Sequence, residues 1–351
     1  MRLSLPSKGR LAEESLSFLA ACGLSVYKPN PRQYEAVIPA LPGLTVLFQR
    51  PGDIVVSVRD GSVDFGITGI DVIEERRGEN GALLVLHEAL GFGVCALTIA
   101  VPEEWGKVQS VEDLKVQTSL LGHPLRIATK YPNLTGRFLL ERDILHTLIS
   151  AEGTLEAAPA IGYADLIADL VSSGQTLRDN RLRPLPDGVI QLSQAALIAN
   201  ADTLQSHPDA LAAARFLLET IEAHLRAKEN LAIFANIRGE SAEVIAARIF
   251  SQRTIGGLQG PTISRMIARN NDPNWYDVHI VVRRSQLFQA VNELRAIGGS
   301  GVVVAPIAYI FEEEPPRYKA MLAALADAGE THPPDETHPK DHPNGGPHAI
   351  S

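Results

Sequence analysis

Short apolar runs recur along the first two thirds of this chain. Most end in a loop of glycine, proline, small or charged residues, and an amphipathic segment follows. Arg2–Leu5 reads as a strand stopped at Pro6. Ser7-Lys8-Gly9-Arg10 follows, then a helix through Leu11, Leu16, Phe18 and Leu19 to Gly23. The same order returns with a strand at Leu44–Phe48 and a helix at Ile54–Arg59. It returns again with a strand at Val63–Thr68 and a helix at Ile70–Glu75, and with a strand at Leu125–Thr129 and a helix at Leu134–Glu141. Val94–Val101 and Ala195–Ala199 read as further strands, and Leu155–Ala158 as a short one. This alternation predicts open α/β sheets. Such sheets place ligands at strand ends, where the loops carry cations and hydroxyls.

Residues 162–176 hold the densest chemistry. Tyr163, Leu166, Ile167, Leu170 and Val171 are spaced as one apolar face of a helix, with Asp165 and Asp169 on another. Ser172-Ser173-Gly174-Gln175-Thr176 follows. A small, hydroxyl-rich loop pivoting on glycine lets backbone N–H groups converge on a phosphate while hydroxyls donate from the sides. On the helical reading, Asp169 lies near a helix C-terminus, where a negative charge opposes the dipole. That placement suggests a task such as holding a sugar hydroxyl or a metal.

Further along, His207–Leu225 and Ala242–Phe250 read as helices. Gly256-Gly257 and Gly260-Pro261 mark a change of character. Strands at Thr262–Ile267 and Val278–Val282, a helix at Ser285–Ile297 and a strand at Gly301–Ala305 fit a small ferredoxin-like unit. Beyond about residue 322 the Pro-, His- and Asp-rich composition reads as a disordered tail.

Composition narrows the function classes. The chain has 351 residues, 45% hydrophobic and 21% charged, which is globular and long enough for several domains. A net charge of −9 leaves no general basic footprint for nucleic acid, so phosphates must be met by local cations and backbone N–H groups. Two cysteines, Cys22 and Cys95, without metal-ligand spacing favour a reducing compartment. No signal core or membrane-length apolar run is evident, which predicts a soluble, cytoplasmic protein.

Taken together, Ser7–Arg10, Arg50–Asp53, Thr68–Asp71, Thr129–Asn133 and Asp169–Thr176 resemble ATP phosphoribosyltransferase, over about residues 1–310. The most specific match is Leu155-Glu156 followed by Gly162-x-Ala164-Asp165-x-Ile167-x-Asp169-Leu170-Val171-Ser172-x-Gly174-x-Thr176-Leu177, then Asn180 and Leu182. The opening Pro6-Ser7-Lys8-Gly9-Arg10-Leu11 adds to it. So do Asp60-Gly61-x-Val63-Asp64-x-Gly66-Ile67-x-Gly69 and Arg126-Ile127-Ala128-Thr129-x-Tyr131-Pro132. The segment Pro261–Pro306 resembles the regulatory domain of the family's long form.

The resemblance implies a two-lobed, periplasmic-binding-protein-like α/β catalytic region with an ACT-like ferredoxin fold after it. Lobe I would take residues 1–100 and 190–228, lobe II 101–189 and the regulatory domain 229–315. A mostly disordered tail would occupy 316–351. It implies a magnesium-dependent reaction of ATP with phosphoribosyl pyrophosphate, with histidine as feedback inhibitor and a dimer or hexamer as the assembly. Ser172, Ser173, Gly174, Gln175 and Thr176 would then cradle the 5-phosphate. Asp169 would hold ribose hydroxyls, with Glu156 assisting or near the metal. Lys8 and Arg10 would face pyrophosphate and the ATP phosphates. Arg50, Lys130 and Tyr131 would contact the nucleotide. Direct metal ligands are not assigned. This chain departs from the family pattern at Gly91 and Ala96, where charged residues are common, and at Ser264-Arg265-Met266. The rival readings are a two-lobed sensor that binds a solute without turning it over, and an inactive regulatory paralogue.

Overall fold

The computed structural model describes residues 1–28, 30, 33–78, 81–150, 155–267 and 272–331. The chain opens with β1 (Arg2–Pro6), α1 (Arg10–Ala21), β2 (Glu35–Val37), β3 (Thr45–Gln49), α2 (Pro51–Arg59), β4 (Phe65–Gly69), α3 (Ile70–Arg76) and β5 (Leu83–His87). It continues through β6 (Cys95–Pro102), α4 (Asp113–Leu121), β7 (Leu125–Thr129), α5 (Pro132–Leu140), β8 (His146–Ser150), β9 (Leu166–Val171), α6 (Gln175–Asp179) and β10 (Leu182–Ser193). It then returns as β11 (Ala195–Asn200), α7 (Ala201–Ser206) and α8 (Pro208–Glu229). The last part holds β12 (Asn230–Arg238), α9 (Ala242–Phe250), β13 (Thr262–Arg265), β14 (Trp275–Arg283), α10 (Leu287–Ala296), β15 (Ser300–Pro306) and α11 (Pro316–Thr331).

These strands form three sheets, ordered β2-β3-β1-β4-β11-β5, β10-β6-β9-β7-β8 and β13-β14-β12-β15. The first sheet buries Leu3, Leu5, Phe65 and Leu197 with Leu217 and Ile221 of α8. The second buries Ile99, Leu125, Ile127, Leu139 and Leu166. Chain order and pairing in the third sheet match a ferredoxin-like fold, with Ile233, Ile245, Val278 and Leu294 at its centre. The first two lobes are joined by β6 and β10, which pair antiparallel from Leu182↔Pro102 to Ser193↔Cys95. β6 therefore belongs to the second sheet, earlier than a lobe boundary at residue 100 supposes.

Three expectations fail. The stretch expected to be a helix through Leu166–Val171 is a strand, paired with β6 and with β7. Leu166, Ile167 and Ala168 are all fully buried, so both strand faces are apolar and the alternation that marks a strand is lost. Leu155–Ala157 is a single 3-10 turn rather than a strand. The expected tail is helical over Pro316–Thr331, because Tyr318, Met321 and Leu325 find an apolar surface on the first sheet's core. The rest of that stretch, from residue 332, lies outside the described residues.

Candidate active site

Loops at strand ends position the charged groups, and two lobes contribute. In the second, β7 ends at Thr129, Lys130 and Tyr131 follow, and Pro132 opens α5. Asp169 lies near the end of β9, half-buried, with Oδ1 accepting the Leu170 N–H at 2.8 Å. Burial pushes its carboxyl above the ordinary range. The Leu170 amide and the Lys130 cation pull it down, and the Glu156 carboxylate pushes it up. Lys130 and Glu156 thus both act on Asp169, although the three come from separate segments.

Ser172-Ser173-Gly174 then turns the chain into α6. Gly174 has φ 72°, the left-handed region where a Cβ is strained. The Ser173 hydroxyl accepts the Gln175 N–H at 3.4 Å. The side chains of Ser172, Ser173, Gln175 and Thr176 are exposed. Arg178 was not singled out from the sequence, yet it braces this loop. Its Nη2 donates to the Ser173 carbonyl at 3.2 Å and to Gln175 Oε1 at 3.0 Å. The available signal was a cation one helical turn after the glycine.

In the first lobe, Pro6 pairs with Gln49, which sets the loops after β1 and β3 side by side. Lys8 lies in one loop and Arg50 caps α2 in the other, both exposed. Arg10 starts α1, lies 3.7 Å from Glu14 and donates to the Val94 carbonyl at 3.3 Å. Arg10 and Asp71 both act on the half-buried Cys95 thiol, which burial holds above its ordinary value. Asp169 and Cys95 in turn act on the Tyr131 phenol. The two lobes' groups therefore meet around the start of β6.

Tyr131 departs from its expected role. Only 8% of it is exposed, and its hydroxyl donates to Asp71 Oδ2 at 2.6 Å. Burial, then the Asp71 charge, pushes the phenol far up, so it stays neutral and committed to that bond. Other motif residues are also structural. Asp165 accepts the Arg126 N–H and guanidinium at 2.7 Å each, pinning β7 to the entry of β9. Asp64 accepts the Arg2 N–H at 2.6 Å. A cavity of about 1150 Å³ involves none of these groups: it lies among the end of β5, α8, the end of β14 and the start of α11, lined by His87, Glu222, Arg226, Arg283 and Arg317.

Residues 50–224 match the family described as ATP phosphoribosyltransferase, and residues 227–309 match the HisG, C-terminal domain. ATP phosphoribosyltransferase 1, chloroplastic, of Arabidopsis thaliana is 44% identical over 333 residues, covering 93% of this chain and 81% of the relative. The chain belongs to the ATP phosphoribosyltransferase family. A second relative, ATP phosphoribosyltransferase of Rhodopseudomonas palustris, is 31% identical over 92% of this chain and 98% of its own. A solved ATP phosphoribosyl transferase (HisG:HisZ) complex from Thermotoga maritima overlays at a TM-score of 0.49 and 23% identity, covering 63% of this chain and 96% of that one. The long form of ATP phosphoribosyltransferase, a pentosyltransferase of histidine biosynthesis, condenses ATP with phosphoribosyl pyrophosphate to phosphoribosyl-ATP and pyrophosphate. No helix among the described residues is long and apolar enough to cross a membrane.

Proposed function

We propose that the loop Ser172–Thr176 and Asp169 form the phosphoribosyl site of this ATP phosphoribosyltransferase. In the transfer, adenine N1 forms a bond to C1 of ribose as the C1–O bond to pyrophosphate breaks. Positive charge grows on the ribose and negative charge on the leaving group, so catalysis needs positioning and fixed charge rather than a nucleophilic side chain. Ser172, Ser173, Gly174, Gln175 and Thr176 hold the 5-phosphate, with Arg178 bracing them. Asp169 accepts from the ribose hydroxyls. Lys8 and Arg10 meet pyrophosphate and the ATP phosphates, while Arg50 and Lys130 serve the nucleotide. Tyr131 is buried, so it acts through its backbone and its neighbours rather than by direct contact.

Magnesium fits this donor set in a limited way. Glu156 raises the Asp169 carboxyl by charge, and a divalent cation relieves such repulsion. No cluster of three or more His, Cys, Asp or Glu side chains that could hold an ion is present among the described residues. An ion beside Asp169 and Glu156 would draw its other ligands from phosphate oxygens and water, and it would neutralise charge on the departing pyrophosphate. The third sheet and its helices would carry histidine inhibition and oligomer contacts, and the cytoplasm is the proposed compartment.

The half-buried carboxylate of Asp169 beside the glycine-pivoted hydroxyl loop carries this reading. Asp169→Asn or Thr176→Ala removes one positioned group and lowers turnover by about 2–4 kcal/mol, roughly 30- to 1000-fold. The assay follows phosphoribosyl-ATP from ATP, phosphoribosyl pyrophosphate and Mg²⁺, with and without histidine. Near-normal turnover in both variants overturns the site assignment. Binding of substrates without any product from the wild-type protein favours the sensor reading.

A further inference from the structure

Two buried carboxylates on α3 have no part in the chemistry above, yet both cross the gap between lobes. Asp71 is 3% exposed and Glu75, one helical turn on, is 8% exposed. Asp71 Oδ2 accepts the Tyr131 hydroxyl at 2.6 Å. Its Oδ1 accepts the Ser193 hydroxyl, and that hydroxyl in turn accepts the Asp71 N–H at 3.1 Å. One carboxylate thus ties the first lobe to the second lobe and to the strand that joins them.

Glu75 makes the second tie. Pro132 at the start of α5 has no N–H, so the helix's first free donors are the amides of Asn133 and Leu134. Both donate to Glu75, at 2.9 Å to Oε1 and 2.9 Å to Oε2. Asn133 Nδ2 adds a bond to the Glu75 carbonyl at 3.0 Å. Tyr131, the residue before Pro132, gives no side-chain cap of its own. A carboxylate from the other lobe therefore caps α5, helped by the helix dipole. Gly69 belongs to the same device. A Cβ there would strike Asp71 Oδ1 and lie 3.4 Å from Ser193 Oγ.

We infer that Asp71 and Glu75 are positioning residues: they latch the lobes together at residues 131–134 and so hold Lys130 and Asp169, neighbours across β7 and β9 of the second lobe, against the first lobe before substrate arrives. The inference rests on the phosphoribosyl site proposed above. Without the latch, the lobes are joined chiefly by β6 and β10, and substrate binding must supply the closure. Apparent affinity then falls by the fraction of molecules left closed, while the saturated enzyme still turns over. The latch is a set of interlocked hydrogen bonds among buried groups, so removing one partner leaves others unpaired.

The test uses the full chain with Glu75→Ala, the milder Glu75→Gln, and Gly69→Ala, which displaces Asp71 without touching its chemistry. Two quantities are read: hydrogen exchange of the Asn133 and Leu134 amides, and the KM and kcat for phosphoribosyl pyrophosphate. The latch predicts slow exchange in the wild type, and at least tenfold faster exchange in Glu75→Ala that reverts when both substrates are present. It also predicts a KM at least tenfold higher with kcat within about threefold, and an intermediate response in Glu75→Gln. Rapid exchange in the wild type overturns it. So does a KM within twofold in all three variants, or a fall in kcat with KM unmoved. If the exchange pattern holds while the wild type makes no phosphoribosyl-ATP, the latch stands and the assigned site fails.

Discussion

Removing the docking of α11 should loosen the first lobe itself. Met321 is 3% exposed and Leu325 9%, and both join the cluster that holds Leu3, Leu5, Leu217 and Ile221. Met321→Ala deletes a buried side chain from a packed core, which costs about 2–5 kcal/mol depending on how far the gap closes. With about 3 kcal/mol as a central figure, the melting midpoint falls by roughly 6–12 °C. Met321→Leu keeps the volume and should lose less than about 1.5 kcal/mol. The polar side of the helix adds to this. Arg317 bonds Glu88 at 2.7 Å and Glu222 at 3.0 Å, and Glu222 Oε2 has no hydrogen-bond partner among the described residues. Arg317→Met leaves the Glu222 carboxylate buried and without its cation, which destabilises by about 3 kcal/mol. Thermal melts followed by circular dichroism, with turnover measured alongside, report both effects. Melting of Met321→Ala at the wild-type temperature would refute the docking of α11 on this core. A chain cut at residue 322 loses Leu325, so it should be less stable than the intact protein.

Four further outcomes follow from other contacts in the structure. Burial raises the Asp169 carboxyl, so the acid limb of kcat/KM should lie above the ordinary carboxylate range. Lys130→Met should move that limb higher and Glu156→Gln lower, and limbs that do not move in these directions refute the assignment to Asp169. Because Asp169 binds its proton more tightly when folded, its charge destabilises the fold as pH rises through that window. Asp169→Asn should therefore melt higher at neutral pH while losing activity. His87 is 2% exposed and held down to about 4 by burial and by Arg317, against 6.5 unfolded. The unfolded chain takes the proton first, so stability falls by about 3 kcal/mol as pH drops from 6.5 to 4, and His87→Gln should flatten that slope in denaturant titrations. Gly66→Ala puts a Cβ 2.5 Å from Ile54 Cγ2 and 3.2 Å from Val58 Cγ2, which overpacks β4 on α2 and costs about 1–3 kcal/mol by chemical denaturation.

What the sequence disclosed and what it hid divide along a physical line. Strand–loop–helix units such as β1–α1 and β7–α5 were legible because each has one apolar face and a loop with distinct chemistry. β9 was misread because Leu166, Ile167 and Ala168 are buried on both faces, and a continuous apolar run has no period to separate strand from helix. The misreading mattered little for the loop that follows. Ser172–Thr176 owes its chemistry to hydroxyls and a left-handed glycine, which need only an ordered element before it. α11 carried its own signal, with Tyr318, Met321 and Leu325 on one stripe, but the surface that orders it lies in a distant part of the chain.

The partners of Tyr131 show the limit most clearly. The resemblance implies a nucleotide contact for it, and the local sequence leaves that role and packing beside Pro132 equally open, since nothing local marks its hydroxyl as spoken for. The acceptor, Asp71, is sixty residues earlier, and Ser193 from the strand after β9 and α6 fills its other oxygen. A residue type in a functional motif states what chemistry is available there. Whether the group faces a ligand or another part of the protein depends on which buried donors and acceptors remain unpaired once the lobes meet. Asp165 and Asp64 follow the same rule: both are motif carboxylates spent on backbone N–H groups. Asp169 does not. Among the described residues its carboxylate accepts only the next residue's amide, and that difference separates it from the other aspartates of the motif.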